Sequence, residues 1–203
     1  FLDGRHGTAL ADYDSLHRFS VERMEDFWVA VWDFCGVVAE ARGDTVIADK
    51  AKMPGARFFP GARLNFAENL LRHSDKPGDA IVFWGEDKVR SRLTNAGLRD
   101  QVSRMQQALA AAGVKPGDRV AAFMPNMPET VVAMLASASL GAAFTSCSPD
   151  FGVQGVVDRF GQVEPKVLLC CDGYHYNGKV IESLPRIAEI AARLPTVERV
   201  VVV

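Results

Sequence analysis

The C-terminal half of the sequence repeats one cycle, in which a short apolar stretch alternates with an amphipathic stretch about every 25 residues. This alternation is typical of βαβ units, whose strands lie parallel in one sheet. The predicted strands cover residues 119–124, 142–147, 166–171 and 199–203, and the predicted helices cover 127–140, 152–163 and 182–194. Because the first three strands are apolar without alternation, we expect helices on both faces. The sequence therefore predicts a layered α/β fold with a parallel sheet.

Ahead of this repeat, the sequence predicts a β-hairpin followed by a long helix. The hairpin arms cover residues 80–84 and 88–93, with the turn at 85–87 between them. Thr94 is the expected N-cap of the helix, and Gly113 is its expected stop. Between these two residues the apolar positions recur at spacings of three and four, as on one face of a helix.

The N-terminal region has a different pattern. From Ser20, the expected N-cap, to Val38 one wide apolar stripe with three aromatic rings predicts an amphipathic helix, and we expect the stripe to pack against a core. Prolines and glycines then predict an irregular segment that leads into a short helix at 65–71. We therefore divide the chain into residues 1–78, an N-terminal helix and wrapping segment, and residues 79–203, the α/β subdomain on which that helix packs.

Composition and charge argue against several classes of protein. The 203 residues are 48% hydrophobic and 24% charged, as in ordinary globular proteins. The net charge is -2, with no long run of one sign, which argues against nucleic-acid binding and against a polybasic membrane patch. No apolar stretch reaches the roughly 20 residues of a transmembrane helix, and the first residues lack a signal-peptide pattern.

The four cysteines, Cys35, Cys147, Cys170 and Cys171, form no C-x-x-C pair and no zinc-type cluster with histidine. This usage fits a reducing cytoplasm, and the adjacent pair in an apolar strand is expected to behave as small buried hydrophobes. The chain starts without methionine and stops inside four consecutive valines, which indicates part of a longer protein. If that apolar strand is an unpaired edge, we expect it to favour homo-oligomers.

Loops that follow the carboxyl ends of the predicted strands are where α/β sheets bind their ligands. In the first such loop, Asn126 and Glu129 fit a capping box of the next helix. In the second, Cys147 and Ser148 are possible nucleophiles, but neither has an identifiable base. Asp150, in the same loop, is the expected N-cap of the helix that follows.

The third loop covers residues 172–179 and holds two tyrosines, a histidine and a lysine between two glycines. Aromatic rings with a cation suit an adenine or phosphate group, although an ordinary solvated loop explains the same composition. No G-x-G-x-x-G follows a strand, no G-x-x-x-x-G-K-[ST] loop occurs, and no helix has metal-ligand spacing. The residues by themselves therefore predict a fold class without a complete active site.

Five longer strings carry more information than these spacings. They are NFAENLL at 65–71, GDRVA at 117–121, PNMPETVVAMLASASLGA at 125–142, SPDFG at 148–152 and DRFGQ at 158–162. Together they resemble the N-terminal part of the acetoacetyl-CoA synthetase family, within the acyl-adenylate-forming superfamily that includes acetyl-CoA synthetases and luciferases. SPDFG is the least generic of them, since acetyl-CoA synthetases tend to carry a different string there. The resemblance implies an incomplete N-terminal domain of an adenylate-forming enzyme.

The resemblance also implies a two-step reaction. Acetoacetate attacks the α-phosphorus of ATP, bound with Mg²⁺, and expels pyrophosphate; the CoA thiolate then displaces AMP. The family motifs that bind the triphosphate and supply the catalytic lysine follow the present region, so the resemblance assigns no catalytic residue here and implies that the chain alone is inactive. An acetyl- or propionyl-type acyl-CoA synthetase is the alternative within the superfamily, and a stand-alone α/β binding or assembly module is the alternative outside it.

One ligand-binding element within the chain is implied by the resemblance. In related acetyl-CoA synthetases a basic segment after the matching strand contacts the phosphates of CoA, and residues 176–179 correspond to it. Lys179 keeps a positive charge there, and Tyr176 stands in place of a second basic residue. Pro149 and Asp150 fall near the wall of the expected pantetheine tunnel.

Overall fold

The computed structural model describes residues 1–86 and 88–203, and the chain divides into two compact units, Phe1–Asn65 and Phe66–Val203. The predicted division after residue 78 falls inside the second unit, ahead of its first strand. Along the part of the chain that the structure describes, none of the helices combines the length and the apolar character needed to span a bilayer.

The first unit contains short helices and a small hairpin. Its elements are α1 (Leu2–His6), α2 (Tyr13–Glu22), α3 (Met24–Phe34), β1 (Ile47–Ala48) and β2 (Arg57–Phe58), and the two strands pair antiparallel. The predicted aromatic stripe packs on the irregular segment of the same unit. The ring centroids of Trp28 and Phe58 lie 5.2 Å apart, and those of Trp32 and Phe59 lie 4.8 Å apart.

The first predicted helix starts in the wrong place. Asp12, not Ser20, caps α2: the Asp12 carboxylate accepts a hydrogen bond from the Ser15 backbone N–H at 2.8 Å, and the Ser15 hydroxyl accepts one from the Asp12 N–H at 3.2 Å. This reciprocal capping box outcompetes Ser20, whose hydroxyl inside α2 donates to the His17 carbonyl. The helix is then interrupted at Arg23, whose backbone is not helical (φ -114°, ψ 50°), and α3 begins at the next residue.

The second unit contains the predicted parallel sheet. Its elements are α4 (Phe66–Leu71), β3 (Asp79–Gly85), β4 (Val89–Thr94), α5 (Asn95–Ala111), β5 (Arg119–Phe123), α6 (Pro128–Ser139), β6 (Ala143–Cys147), α7 (Val153–Val163), β7 (Val167–Cys170), β8 (Gly173–Tyr176), β9 (Lys179–Glu182), α8 (Leu184–Ala192) and β10 (Arg199–Val202). The parallel strands have the order β10-β7-β5-β6. The predicted α/β fold is therefore confirmed.

Alternate residues of the central strand β5 face opposite helix layers. Val120 and Ala122 face the layer of α4, α5 and α6, whereas Ala121 and Phe123 face α7 and α8. All four are 0% exposed, as expected for a strand that is covered on both faces. The small residues that let α6 approach the sheet closely are Ala133, Ala136 and Ser137.

The β3–β4 hairpin and the cap of α5 are also confirmed. The two strands pair antiparallel, and the Thr94 hydroxyl accepts a hydrogen bond from the Gly97 backbone N–H at 3.1 Å. Gly113 has a positive φ of 81° just after α5, in agreement with its predicted role as a stop. Asp87, part of the predicted turn, lies outside the described residues.

The predicted cap of α6 is wrong. This helix begins with Pro128, a residue that suits the first helical position because it has no N–H to leave unpaired. The preceding Met127 is therefore the N-cap, and it makes no side-chain cap hydrogen bond. The capping box of Asn126 and Glu129 does not form.

The helices α7 and α8 begin later than predicted. Gly152 is the N-cap of α7, so Asp150 lies two residues before the cap and does not serve as one. Leu184 begins α8, because Glu182 pairs with Gly173 in a hairpin instead of entering the helix. The later start of α7 leaves the Asp150 side chain available for a contact with another segment.

Residues 172–179, predicted as a loop, form most of a second β-hairpin. Its strands β8 and β9 pair antiparallel, and its two turn residues, Asn177 and Gly178, have positive φ values of 49° and 72°. Positive φ at both positions is the requirement of a type I′ turn, for which Asn-Gly is the favoured sequence. Gly173 suits its position because a Cβ there would lie 2.7 Å from the Ile181 carbonyl oxygen.

Among the described residues, β10 forms one edge of the parallel sheet, as predicted for the valine run. Val201 packs on the core, whereas Val200 and Val202 are exposed. An apolar edge of this kind can recruit another chain. Association through β10 stays a prediction.

Candidate functional site at the carboxyl edge of the sheet

The strand order places a topological switch point at the carboxyl end of β5. The chain passes from β5 to β6 on one side of it, and then crosses over to β7 on the other side. In open α/β sheets, ligands bind outside the carboxyl ends of the strands at such a reversal. The segments that follow β6 and β7 carry the predicted site residues.

The Asp150 carboxylate connects these two segments. Its Oδ1 accepts a hydrogen bond from the Tyr174 hydroxyl at 2.9 Å, and its Oδ2 accepts one from the Ser148 hydroxyl at 3.1 Å. Burial raises the pKa of the Tyr174 phenol and the contact with Asp150 acts in the same direction, while nearby Arg186 opposes both. Tyr174 is therefore a neutral donor at physiological pH, and it ties the β8–β9 hairpin to the loop after β6.

Lys179 and Tyr176 lie on the same face of this hairpin as Tyr174. Tyr176 pairs directly with Lys179, and Tyr174 pairs with Ile181 two positions along each strand. Because side chains alternate between the two faces of a strand, these four residues share one face and His175 lies on the other. Lys179 and Tyr176 are exposed, and within residues 1–86 and 88–203 the Lys179 side chain makes no hydrogen bond or ion pair.

Arg186 on α8 holds the backbone of the loop after β6. Its Nη1 donates to the Pro149 carbonyl at 3.0 Å, and its guanidinium lies 5.9 Å from the centroid of the Phe123 ring at the end of β5. Its Nη2 is buried and has no hydrogen-bond partner among the residues that the structure describes. One arginine and one tyrosine therefore join the ends of β5, β6 and β7.

The three cysteine side chains at this edge of the sheet are buried in the hydrophobic core. Burial raises the pKa of the Cys147 and Cys170 thiols from 9.0 to about 11, and it raises the pKa of Cys171 as well. A thiol with so high a pKa is almost wholly protonated at neutral pH and is a poor nucleophile. All three cysteines are buried, as predicted for Cys170 and Cys171, and they are unsuited to covalent catalysis.

The structure brings the predicted site residues together in two pairs. Pro149 is buried and Asp150 is exposed, next to each other in the loop after β6. Lys179 and Tyr176 are cross-strand neighbours on the hairpin. No hydrogen bond among the described residues joins one pair to the other directly, and Tyr174 is the link between the two segments.

Two features of this edge were not predicted from the sequence. The hairpin had a local signal in Asn177-Gly178, and the two-residue period of its strands would then have placed Tyr174 on the face of Lys179. Arg186 had no such signal, because an arginine on the polar side of an amphipathic helix is ordinary. Its contacts arise from residues 37 and more positions away in the sequence.

The described residues do not fit a metal centre. In the described part of the chain, no group of three or more His, Cys, Asp or Glu side chains could hold a metal ion. A Mg²⁺ ion usually needs carboxylates together with substrate phosphates in an octahedral arrangement. No step is therefore assigned to a metal bound by these residues.

Comparison with known proteins gives the family. The family model for AMP-binding enzymes matches residues 70–203, and the model for the acetyl-coenzyme A synthetase N-terminus matches residues 13–70. The first match contains the whole parallel sheet and the β3–β4 and β8–β9 hairpins. The chain belongs to the family of AMP-binding enzymes.

Two curated relatives and one solved structure share a single name within that family. The chain is 56% identical over 195 residues to the acetoacetyl-coenzyme A synthetase of Rhizobium meliloti, covering 95% of this chain and 30% of that protein. It is 41% identical over 199 residues to the acetoacetyl-CoA synthetase of Macaca fascicularis, covering 97% of this chain and 30% of that protein. The structure of acetoacetyl-CoA synthetase from Streptomyces lividans matches with a TM-score of 0.92 at 42% identity, covering 98% of this chain and 31% of that one.

These figures confirm the predicted resemblance to acetoacetyl-CoA synthetases. The chain spans about 30% of the length of the curated relatives that it matches. What those relatives do as whole proteins is therefore a matter of proposal for this one.

Proposed function

We propose that the protein to which this chain belongs is an acid–CoA ligase that forms acetoacetyl-CoA from acetoacetate, ATP and CoA. The observation that carries the proposal is the 56% identity with an acetoacetyl-coenzyme A synthetase, which extends over 95% of the chain. In the first step a carboxylate oxygen of acetoacetate bonds to the α-phosphorus of ATP, and the bond to pyrophosphate breaks. In the second step the CoA thiolate bonds to the acyl carbon, and AMP leaves with the electron pair of the broken C–O bond.

Within this reaction the carboxyl edge of the sheet serves CoA. Lys179 offers an exposed positive charge to a CoA phosphate, and Tyr176 opposite it offers an aromatic surface. Pro149 and Asp150 form the wall along which the pantetheine arm passes. The Tyr174 hydrogen bond to Asp150 supports this arrangement, because it holds the hairpin face of Lys179 to that wall. ATP and its Mg²⁺ are bound by groups outside the described residues.

The role of Lys179 is tested by Lys179→Ala in the full-length protein. A lysine here acts as a point charge without the bidentate geometry of arginine, and an exposed pairing of this kind is worth about 1 kcal/mol. The KM for CoA is expected to rise about three- to tenfold. Acetoacetate-dependent exchange of pyrophosphate into ATP precedes CoA entry and should be unchanged.

A matched control is Lys115→Ala, because Lys115 lies on the turn before β5, at the opposite edge of the same sheet. Its KM for CoA is expected to equal that of the wild type. If Lys179→Ala leaves the CoA dependence unchanged, or lowers the exchange reaction equally, Lys179 does not belong to a CoA site.

The acid substrate is tested by comparing acetoacetate with acetate and propionate in the full-length protein. Thioester formation and AMP release are both measured, and the largest kcat/KM is expected for acetoacetate. A preference for acetate or propionate would instead assign the protein to the acetyl- or propionyl-CoA synthetases.

The 203-residue chain alone is expected not to adenylate acetoacetate, because it contains none of the motifs that bind a triphosphate. Pyrophosphate release that depends on both ATP and acetoacetate is the measurement. Turnover above a control without protein would contradict this expectation.

A further inference from the structure

The turn of the β8–β9 hairpin is held by a carboxylate from a distant part of the sequence. Glu86 follows β3, at the tip of the β3–β4 hairpin. Its Oε1 accepts a hydrogen bond from the Asn177 backbone N–H at 2.5 Å, and its Oε2 accepts one from the Gly178 N–H at 3.1 Å. These are the two residues of the turn, and Lys179 follows them directly. One side chain thus clamps two consecutive amides that lie 91 and 92 positions away.

The two turn N–H groups do not need Glu86 in order to be hydrogen-bonded. Both turn residues are exposed, so water can solvate their N–H groups. A two-stranded hairpin with four-residue strands is marginally stable alone, however, and its ladder does not fix where its tip lies. The Tyr174 hydrogen bond to Asp150 ties the hairpin nearer its base. Glu86 supplies the tie at the tip, immediately before Lys179.

We propose that Glu86 is a positioning residue for the contact between Lys179 and a CoA phosphate, an inference that rests on the proposed function. By fixing the two turn amides, the carboxylate fixes the backbone from which the Lys179 side chain extends. Less conformational freedom is then lost when the ammonium group binds the phosphate. Glu86 acts entirely through Lys179, so removing it cannot weaken CoA binding more than removing Lys179 does.

The experiment compares four variants of the full-length protein: Glu86→Ala, Glu86→Gln, Lys179→Ala and the double variant Glu86→Ala/Lys179→Ala. Glu86→Ala is expected to raise the KM for CoA about two- to fivefold, with kcat and the exchange of pyrophosphate into ATP unchanged. Glu86→Gln keeps one acceptor oxygen and loses the other, so its KM should lie between those of the wild type and Glu86→Ala. In the Lys179→Ala background, Glu86→Ala should change the KM by less than about 1.5-fold.

A matched control is Glu182→Ala. Glu182 is an exposed carboxylate of the same hairpin, on the face opposite Lys179, and its removal is expected to leave the KM for CoA unchanged. Hydrogen exchange over residues 173–182 gives a readout that does not depend on activity. Glu86→Ala, but not Glu182→Ala, is expected to accelerate exchange of the two turn amides in the absence of CoA.

Each of three results would overturn the role of Glu86. If the KM for CoA falls in both single Glu86 variants, the carboxylate repels the ligand instead of positioning the turn. If Glu86→Ala raises the KM equally with and without Lys179, it acts elsewhere. If the turn amides exchange at the wild-type rate in Glu86→Ala, the clamp does not form in solution.

The inference and the proposed function fail in different ways. If Lys179→Ala raises the KM for CoA and Glu86→Ala does not, the positioning role alone is wrong. If Lys179→Ala leaves the KM unchanged, the CoA site itself is wrong, and the positioning role is wrong with it.

Discussion

The polar groups at the amino ends of the parallel strands (the amino edge) and at their carboxyl ends (the carboxyl edge) have different environments. At the amino edge, Lys166 donates to the Gly113 carbonyl at 2.8 Å and lies 3.6 Å from the Asp118 carboxylate. Arg119 donates to two carbonyls at the end of α7, at 2.7 and 2.8 Å. At the carboxyl edge, the Lys179 side chain has no polar partner among the described residues.

Cations therefore lie at both edges, but Lys166 and Arg119 are held by other groups of the chain, whereas no described residue holds the Lys179 side chain. A charged group whose hydrogen bonds are made within the chain contributes to stability, and a ligand can recruit it only by breaking those bonds. A charged group without partners contributes little to stability and can bind a ligand at little cost. The number of partners, and not the charge, distinguishes Lys166 and Arg119, which have structural roles, from Lys179 in the candidate site.

The largest expected effect concerns the reactivity of the buried thiols at the carboxyl edge toward an alkylating reagent. Because the pKa of Cys147 and Cys170 is about 11, their thiolate fraction near pH 8 is about 100-fold below that of a thiol with a pKa of 9.0. Alkylation of the native protein, followed by peptide mass mapping, is expected to modify the exposed Cys35 first. Rapid labelling of Cys147 would show that this edge is open, and a nucleophilic role would then have to be considered.

The next effect concerns the amino edge. Arg119→Ala removes the charged donor of two carbonyls, and it is expected to lower the free energy of unfolding by about 2 kcal/mol, measured by urea denaturation. The exposed Arg104, which pairs with Asp100 on the same helix, is the control, and Arg104→Ala should cost at most about 0.5 kcal/mol. A change in the KM for CoA in Arg119→Ala, without a loss of stability, would assign a ligand-binding role to Arg119 instead of a structural one.

A smaller effect tests the tie between the two segments of the carboxyl edge. Tyr174→Phe keeps the ring and removes the donor to Asp150, which is expected to cost about 1 kcal/mol of local stability, measured by hydrogen exchange of the hairpin amides. Tyr176→Phe is the control, since no described residue accepts a hydrogen bond from the Tyr176 hydroxyl. Equal exchange rates in both variants would argue that the hydrogen bond from Tyr174 to Asp150 does not stabilise the hairpin.

The same tie has a pH dependence of known sign. The pKa of Tyr174 is raised above 10.0, chiefly by burial, so its contribution is complete below pH 10 and is lost as the pH rises through the raised pKa. The difference in hairpin stability between the wild type and Tyr174→Phe should therefore be constant near neutral pH and disappear in strong alkali.

The smallest effect is the pH dependence of the amino edge. The Lys115 backbone N–H donates to Asp118 at 2.8 Å, and this hydrogen bond, with Lys166 acting in the same direction, lowers the pKa of Asp118 below 3.8. Asp118→Asn should therefore destabilise the protein above pH 3.8, and the difference should vanish as the pH falls through the lowered pKa. Urea midpoints between pH 7 and pH 2.5 measure it, with the exposed Asp44→Asn as control. A difference that does not change with pH would exclude this carboxylate as its cause.

The parallel sheet could be predicted because its signals are local. Strands such as Val167–Cys170 are continuously apolar, and the helices between them repeat their apolar positions within a few residues. The first residue of each helix was harder to predict, because several neighbouring residues could serve as the N-cap and the local backbone geometry determines which one does. Pro128 decided the start of α6, and the pair Asp12 and Ser15 decided that of α2.

The candidate site was predicted only in part, because its contacts join distant segments. The resemblance to a family gave both Lys179 and Asp150 as site residues, whereas the loop pattern alone predicted Asp150 as a helix cap. The tyrosine that links the two segments depends on the hairpin fold. The contact of Arg186 with the Pro149 carbonyl depends on how α8 packs. Such pairings between segments leave no periodicity in the sequence that could reveal them.

The clamp between Glu86 and Asn177 joins residues 91 positions apart, and that distance sets when it can form. Closing an open loop of this length costs about 4 kcal/mol of chain entropy, more than two solvent-exposed hydrogen bonds return. The clamp should therefore form only after β5 and β7 have paired and shortened the loop. During synthesis at about 5–20 residues per second, Glu86 is made roughly 5–18 s before Asn177. The tip that carries Lys179 is thus expected to be among the last parts of its unit to reach the native position.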